Sequence, residues 1–145
     1  ILPAAWGGRR ASVKLMHKAK DLMKKMGIDG LEYRDVTEVS GGQLQRAGIC
    51  RALMNDAEIL FADEPTGALN SKSAEEIMGL LGEINREGTA ILLVTHDAKV
   101  AAKADRVLFT KDGSIVSDLL LLKFMGKDME ARTEKIMAKM SAIGV

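Results

Sequence analysis

Glu58-Ile59-Leu60-Phe61-Ala62-Asp63-Glu64-Pro65 and, after a helical stretch, Ala90-Ile91-Leu92-Leu93-Val94-Thr95-His96-Asp97 decide how this chain is read. Each begins as a short apolar run and ends in polar or charged residues. Such a run, without alternation, reads as a strand covered on both faces, the habit of parallel sheets flanked by helices. Between the two runs, Ser73 is placed to cap a helix, with Glu76 three residues on to complete a capping box. Ile77, Leu80, Leu81 and Ile84 give that helix an apolar stripe, and Gly88 lies just past its end. The unit is strand–helix–strand and the fold class is α/β. Its polar residues fall at the carboxyl ends of the strands, where open α/β sheets bind ligands.

Working outward, residues 1–54 read as mostly helical. Leu15, Met16, Ala19, Leu22, Met23 and Met26 recur at three- and four-residue steps, and Gly27 follows where a C-terminal glycine belongs. A polar stretch then leads into Val39-Ser40-Gly41-Gly42-Gln43, and a second helix is expected from Gln43 to Met54. Downstream, residues 106–110 and 114–117 flank Lys111-Asp112-Gly113, a hairpin signal. A last helix is expected over residues 128–142, with Met129, Ile136, Met137 and Met140 inward. The chain thus divides into a helical part, 1–54, a sheet-bearing part, 55–118, and a C-terminal helix, 119–145.

Composition narrows the function classes. With 145 residues the chain is long enough for one domain with a real core. Its 21 basic and 20 acidic residues give no overall basic field for nucleic acid, and at 3% aromatic it offers no base-stacking platform. Cys50 is the one cysteine, so no internal disulfide forms. No apolar run approaches the ~18 residues that span a bilayer. The first ten residues lack the pattern of a signal peptide, and a start at Ile1 suggests an internal start or a processed product.

Three places carry chemistry. Ser40-Gly41-Gly42 opens a helix. Its glycines let backbone N–H groups approach a ligand, the helix end adds partial positive charge, and Ser40 adds a hydroxyl, so the set suits a phosphate. An ordinary capped helix after a turn uses the same residues. Asp63 at a strand end can hold Mg²⁺ through water, and Glu64 beside it can polarise an attacking water; two solvated acids opening a loop look the same. His96 ends the second strand and could donate to a developing phosphate charge, or could be a structural histidine.

Taken together and in this order, the three resemble one family. Val39-Ser40-Gly41-Gly42-Gln43-Leu44-Gln45-Arg46 is similar to the signature motif of ATP-binding-cassette (ABC) ATPases. Residues 58–64 resemble their Walker B strand with its catalytic glutamate, Gly67-Ala68-Leu69-Asn70 their D-loop, and Thr95-His96-Asp97 their H-loop. Pro65-Thr66-Gly67 most resembles the bacterial branch serving macrolide, antimicrobial-peptide and lipoprotein exporters.

The resemblance implies a P-loop-NTPase-like fold, with a parallel-sheet core and a helical subdomain. It implies two such domains, as a homodimer, sandwiching two ATP molecules head to tail with Mg²⁺. Ser40, Gly41, Gly42 and Gln43 would meet the γ-phosphate held by the opposite subunit. Asp63 would position Mg²⁺, Glu64 would act on the attacking water, Asn70 would sit at the dimer interface, and His96 would sense the γ-phosphate. The helical part would couple hydrolysis to an integral-membrane permease, with the domain peripheral on the cytoplasmic face of a bacterial plasma membrane and no nucleic acid involved.

The chain departs from the family pattern in places. No Gly-x-x-x-x-Gly-Lys followed by Ser or Thr occurs in its 145 residues, so the phosphate-cradling P-loop is not among them. Ile1-Leu2-Pro3 resembles the segment just after the family's Q-loop, so the chain reads as a C-terminal portion. Asn70 replaces the usual D-loop aspartate, and Gly48 stands inside a helix. Two other readings compete with an exporter ATPase: a non-transport ABC protein, and a non-catalytic ABC fragment that folds or dimerises without binding ATP.

Overall fold

The computed structural model describes residues 9–144, with side chains from residue 13 onward. The segment Ile1-Leu2-Pro3 lies outside the described residues. The chain divides into two compact units, the first ending at Val94 and the second beginning at Thr95.

In the first unit, α1 (Arg9–Lys25) and α2 (Gly41–Leu53) precede β1 (Ile59–Asp63), α3 (Ser71–Arg86) and β2 (Ala90–Val94). Strands β1 and β2 pair in parallel, Ile59 opposite Ala90 through Asp63 opposite Val94. This is the strand–helix–strand unit that the two apolar runs predict. Helix α1 ends as expected: Gly27 takes a positive φ of 64°, and the Ile28 N–H closes onto the Met23 carbonyl at 2.9 Å. The core gathers Met26 and Ile28 after α1, Ile49 and Cys50 of α2, Leu60 of β1, and Ile77, Leu80, Leu81 and Ile84 of α3. All four residues of the α3 stripe read from periodicity are buried.

Three local expectations are corrected. Helix α3 starts at Ser71, and its cap is Asn70, whose extended backbone lets Oδ1 accept the Ser73 N–H at 2.9 Å. Ser73 is therefore inside the helix, and Glu76 turns to Arg46 instead of closing a capping box. Helix α2 starts at Gly41, earlier than expected, because Ser40 rather than Gln43 marks the boundary. Only one face of the β1–β2 pair is covered among the described residues: Leu60, Ile91 and Leu93 pack on the helices, while Ile59, Phe61, Leu92 and Val94 are exposed.

The second unit holds α4 (Ala98–Ala101), the antiparallel hairpin β3 (Arg106–Lys111) and β4 (Ser114–Leu120), and α5 (Met129–Ile143). Asp112 and Gly113 both take positive φ at the hairpin turn, the conformation an Asp-Gly pair favours. Its core is Ala102, Phe109, Leu121 and Ile136, with Met129 and Met140 packed against it. Met137, expected inward, is exposed, since it lies next to Ile136 around the helix and faces away from the hairpin. Arg132 is buried and fastens the unit. Its guanidinium donates to the carbonyls of Ala102 at 2.6 Å, Leu121 at 2.7 Å and Ala104 at 2.7 Å, and lies over the Phe124 ring at 5.2 Å. It also donates to the Leu122 carbonyl at 3.3 Å, and the four carbonyls it satisfies lie in the irregular segments on either side of the hairpin.

Candidate nucleotide site

The glycine-led helix start is built by a reciprocal cap. Ser40 is extended, its Oγ accepts the Gln43 backbone N–H at 3.3 Å, and Gln43 Oε1 accepts the Ser40 N–H at 2.8 Å. This is a capping box with glutamine in the acceptor role. Serving as an acceptor leaves the Ser40 hydroxyl proton free for a further partner. Gly41 and Gly42 occupy the first turn of α2, and neither takes a positive φ.

A Cβ on Gly41 would meet Leu69 Cδ2 at 3.5 Å, and one on Gly42 would meet Ser73 Cβ and Oγ at 3.5 Å; these are ordinary contacts. Neither backbone conformation nor local packing therefore calls for glycine here. Glycine nonetheless costs a helix up to ~1 kcal/mol relative to alanine.

Arg46, one helical turn further on, sets where this end of α2 sits. It donates to the Met26 carbonyl at 2.8 Å and to Glu76 Oε2 at 2.7 Å, tying α2 to the end of α1 and to α3. Sequence reasoning quoted Arg46 as part of a motif but gave it no role. The signal available was a half-apolar helix carrying two arginines, Arg46 and Arg51, and the two partners of Arg46 are distant in sequence.

The carboxylates stand where β1 ends. Asp63 is the last residue of the strand and is exposed. Glu64 takes a left-handed backbone conformation, φ 41°, uncommon for a residue with a side chain. Its N–H donates to the Val94 carbonyl at 2.9 Å, continuing the ladder one step past the strand. Pro65 is buried, and the chain turns through Gly67, whose N–H donates to the Glu64 carbonyl at 3.1 Å, and Leu69, whose N–H donates to Thr66. A left-handed residue held between a sheet and a tight turn aims its side chain out of the strand direction, and such conformations gather at functional sites. The turn ends at Asn70, which caps α3, and the loop that begins at Glu64 passes through Leu69, the side chain nearest Gly41.

The structure thus brings Ser40, Gly41, Gly42, Gln43, Asp63, Glu64 and Asn70 into one unit. His96 belongs to the second unit, where it is exposed, just before Asp97. Asp97 caps α4 by accepting the Lys99 N–H at 2.7 Å, and its own N–H donates to Thr95 Oγ1 at 3.1 Å.

No group of three or more His, Cys, Asp and Glu among the described residues is placed to hold a metal ion. A lone exposed carboxylate such as Asp63 fits a Mg²⁺ that takes most of its ligands from water and phosphate; it would not fit a cage-bound metal. No helix among the described residues is long and apolar enough to cross a membrane.

Residues 8–67 match the family model described as ABC transporter. Over 117 residues the chain is 49% identical to a macrolide export ATP-binding/permease protein, MacB, of Mannheimia succiniciproducens, covering 81% of this chain and 18% of that protein. Over 118 residues it is 47% identical to a probable syringafactin export ATP-binding/permease protein of Pseudomonas syringae pv. syringae, again 81% and 18%. Among solved structures, a dimeric ATP-binding cassette in a post-hydrolysis state bound to ADP and Pi superimposes with a TM-score of 0.64 at 34% identity, over 84% of this chain and 52% of that one. The chain spans about a fifth of the length of these export proteins and about half of the solved cassette. Motif order, fold and relatives agree that the chain is part of an ATP-binding cassette and belongs to the ABC transporter family.

Proposed function

We propose that these residues form the signature half and the catalytic carboxylate of an ATP-hydrolysing cassette that drives export through a membrane permease. The observation that carries the reading is the pair Gly41 and Gly42: glycines in a helical first turn, with room for a side chain and no local need to be glycine. A ligand that approaches the backbone closely supplies the need, and at a helix N-terminus that ligand is an anion.

In this reading the α2 start faces the γ-phosphate of ATP held by a second copy of the cassette, as a homodimer. The free Ser40 hydroxyl proton and the first N–H groups of α2 donate to it. Asp63 would hold Mg²⁺ through water, and the ion would supply positive charge against the charge that develops on the phosphate. Glu64, aimed by its left-handed backbone, orients the attacking water and takes up its proton. His96 donates to the γ-phosphate, and Asn70 presents the D-loop to the partner cassette. The phosphate cradle lies outside these 145 residues, in the complete protein. There the exposed face of Ile59, Phe61, Leu92 and Val94 is covered by the remaining sheet and helices of the cassette. The relatives are named ATP-binding/permease proteins, which supports a cassette that works with a membrane permease, peripheral on the cytoplasmic side of the membrane.

Replacement of Glu64 by Gln in the complete protein tests the reading. The side chain keeps its shape and loses its proton acceptor, so ATP binding persists while hydrolysis falls by about 10²–10⁴. Unchanged turnover would remove Glu64 from the role. The chain alone, without the phosphate cradle, is expected to bind Mg-ATP no tighter than about millimolar, roughly −4 kcal/mol.

A further inference from the structure

Helix α1 carries a charge that the nucleotide chemistry does not use. The chain as a whole is nearly balanced, at +1. Yet α1 holds seven of the 21 basic residues against a single acid, Asp21, and the rest of the chain is net acidic. The distribution on the helix is one-sided. Leu22 and Met23 pack on the core with Met26. On the opposite side Lys14, His17, Lys20 and Lys24 follow one another at three- and four-residue steps, all exposed.

Lys18 and Lys25 are ion-paired, with Asp56 and Glu87 respectively. No ion pair among the described residues involves Lys14, Lys20 or Lys24. Two apolar side chains share the basic side: Val13 lies four residues before His17 and Met16 four before Lys20, and they are 54% and 52% exposed.

We propose that this face of α1 rests on the anionic surface of the membrane, with Lys14, Lys20 and Lys24 meeting lipid phosphates and Val13 and Met16 seated at the headgroup boundary. The location rests on the exporter reading above, while the chemistry stands on the helix itself. Lysines are flexible point charges suited to a diffuse field of headgroups, and their stems reach past apolar neighbours to keep the ammonium in water. A basic amphipathic helix with exposed apolar residues on its charged side gains from a lipid boundary. A nucleic acid would satisfy the lysines but leave Val13 and Met16 in water, and the helix has no Phe, Tyr or Trp for bases to stack on.

The test is flotation of the chain with vesicles, in the absence of nucleotide, so that its outcome is independent of the ATPase reading. Phosphatidylcholine vesicles with about one-third phosphatidylglycerol should bind it at low salt and release it at high salt, and pure phosphatidylcholine should not bind it. The triple charge reversal Lys14→Glu, Lys20→Glu, Lys24→Glu should lower partitioning by about 100-fold. Lys→Arg at the same three positions should leave it near the wild-type value, and circular dichroism should show both variants folded. Three outcomes would overturn the proposal: no binding to the anionic vesicles, binding that is insensitive to salt or equal on neutral vesicles, or binding that survives the charge reversal. The latter two would assign adhesion to the exposed face around Phe61. Tighter binding to a polynucleotide than to the vesicles would also overturn it.

Discussion

Ser40 and Gln43 hold each other: the Ser40 N–H donates to Gln43 Oε1 at 2.8 Å, and the Gln43 N–H donates to Ser40 Oγ at 3.3 Å. The glutamine side chain is thereby engaged with the Ser40 backbone, and it shapes the helix start that Ser40, Gly41 and Gly42 present. Gln43→Ala should cost roughly 0.5–1 kcal/mol and Ser40→Ala about 1 kcal/mol in urea unfolding. Gln43→Glu keeps an acceptor at the same reach and should unfold near the wild-type midpoint. Equal losses for alanine and glutamate would mean that the capping box contributes nothing.

Gly48 provides a contrast with the two glycines at the start of α2. It is exposed, within α2, and a Cβ there would meet nothing within 4 Å. Gly48→Ala should stabilise the chain by about 0.5–1 kcal/mol by limiting the unfolded chain and favouring the helix. In the complete protein, Gly41→Ala should favour the helix locally yet lower ATP hydrolysis, whereas Gly48→Ala should leave hydrolysis unchanged. A rise in the unfolding midpoint with equal loss of activity in both would break the argument from room at Gly41.

Arg132 is a buried cation serving four backbone carbonyls, those of Ala102, Ala104, Leu121 and Leu122. Arg132→Lys keeps the charge but cannot reach Ala102, Leu121 and Ala104 together, so it should destabilise the second unit by about 2–4 kcal/mol. Hydrogen exchange of the β3 and β4 amides would show the loss. Wild-type protection in the lysine variant would mean that the charge alone suffices.

Two titrating groups give the chain pH-dependent behaviour. The Asp118 carboxyl is held below its ordinary 3.8, mainly by its hydrogen bonds from Arg106, at 3.0 Å from Nε to Oδ1. Its folded value is depressed, so its contribution is present above that ordinary value and is lost as pH falls through the lower folded one. Asp118→Asn should therefore flatten the acid limb of the stability curve below pH 4. Burial pushes the Cys50 thiol up from 9.0 to about 11. The folded chain then resists thiolate formation while the unfolded chain does not, and stability should decline as pH rises from 9 toward 11. A thiol reagent at neutral pH should label Cys50 slowly in the native chain and rapidly in denaturant; rapid native labelling would contradict its burial.

Much of this was legible in the sequence, and the exceptions have physical causes. The two apolar runs gave the parallel pair, because unalternating apolar strands favour parallel pairing, although one face of the pair is exposed among the described residues. Asp112-Gly113 gave the hairpin because both residues tolerate positive φ. The α3 cap was misplaced because Ser71, Ser73 and Asn70 are all competent cap residues, and tertiary demand for Glu76 at Arg46 decided among them. Met137 was misread because a residue beside Ile136 shares its periodicity only loosely. Arg132 and Arg46 were silent, since an arginine's value here lies in carbonyls and a carboxylate far along the chain. The left-handed φ of Glu64 was likewise invisible, as nothing in the residue type announces it.

The measurement that tests the central claim most directly is ATP-dependent dimerisation of the complete cassette carrying Gly41→Asp. If α2 faces a triphosphate bound by the other copy, the new carboxylate stands against like charge in a desolvated interface, at a cost of several kcal/mol. In a Glu64→Gln background, light scattering should show an ATP-dependent dimer, and adding Gly41→Asp should abolish it while the monomer's own nucleotide affinity stays unchanged. A Gly41→Asp protein that still dimerises with ATP, or one whose monomer no longer binds nucleotide, would contradict the account.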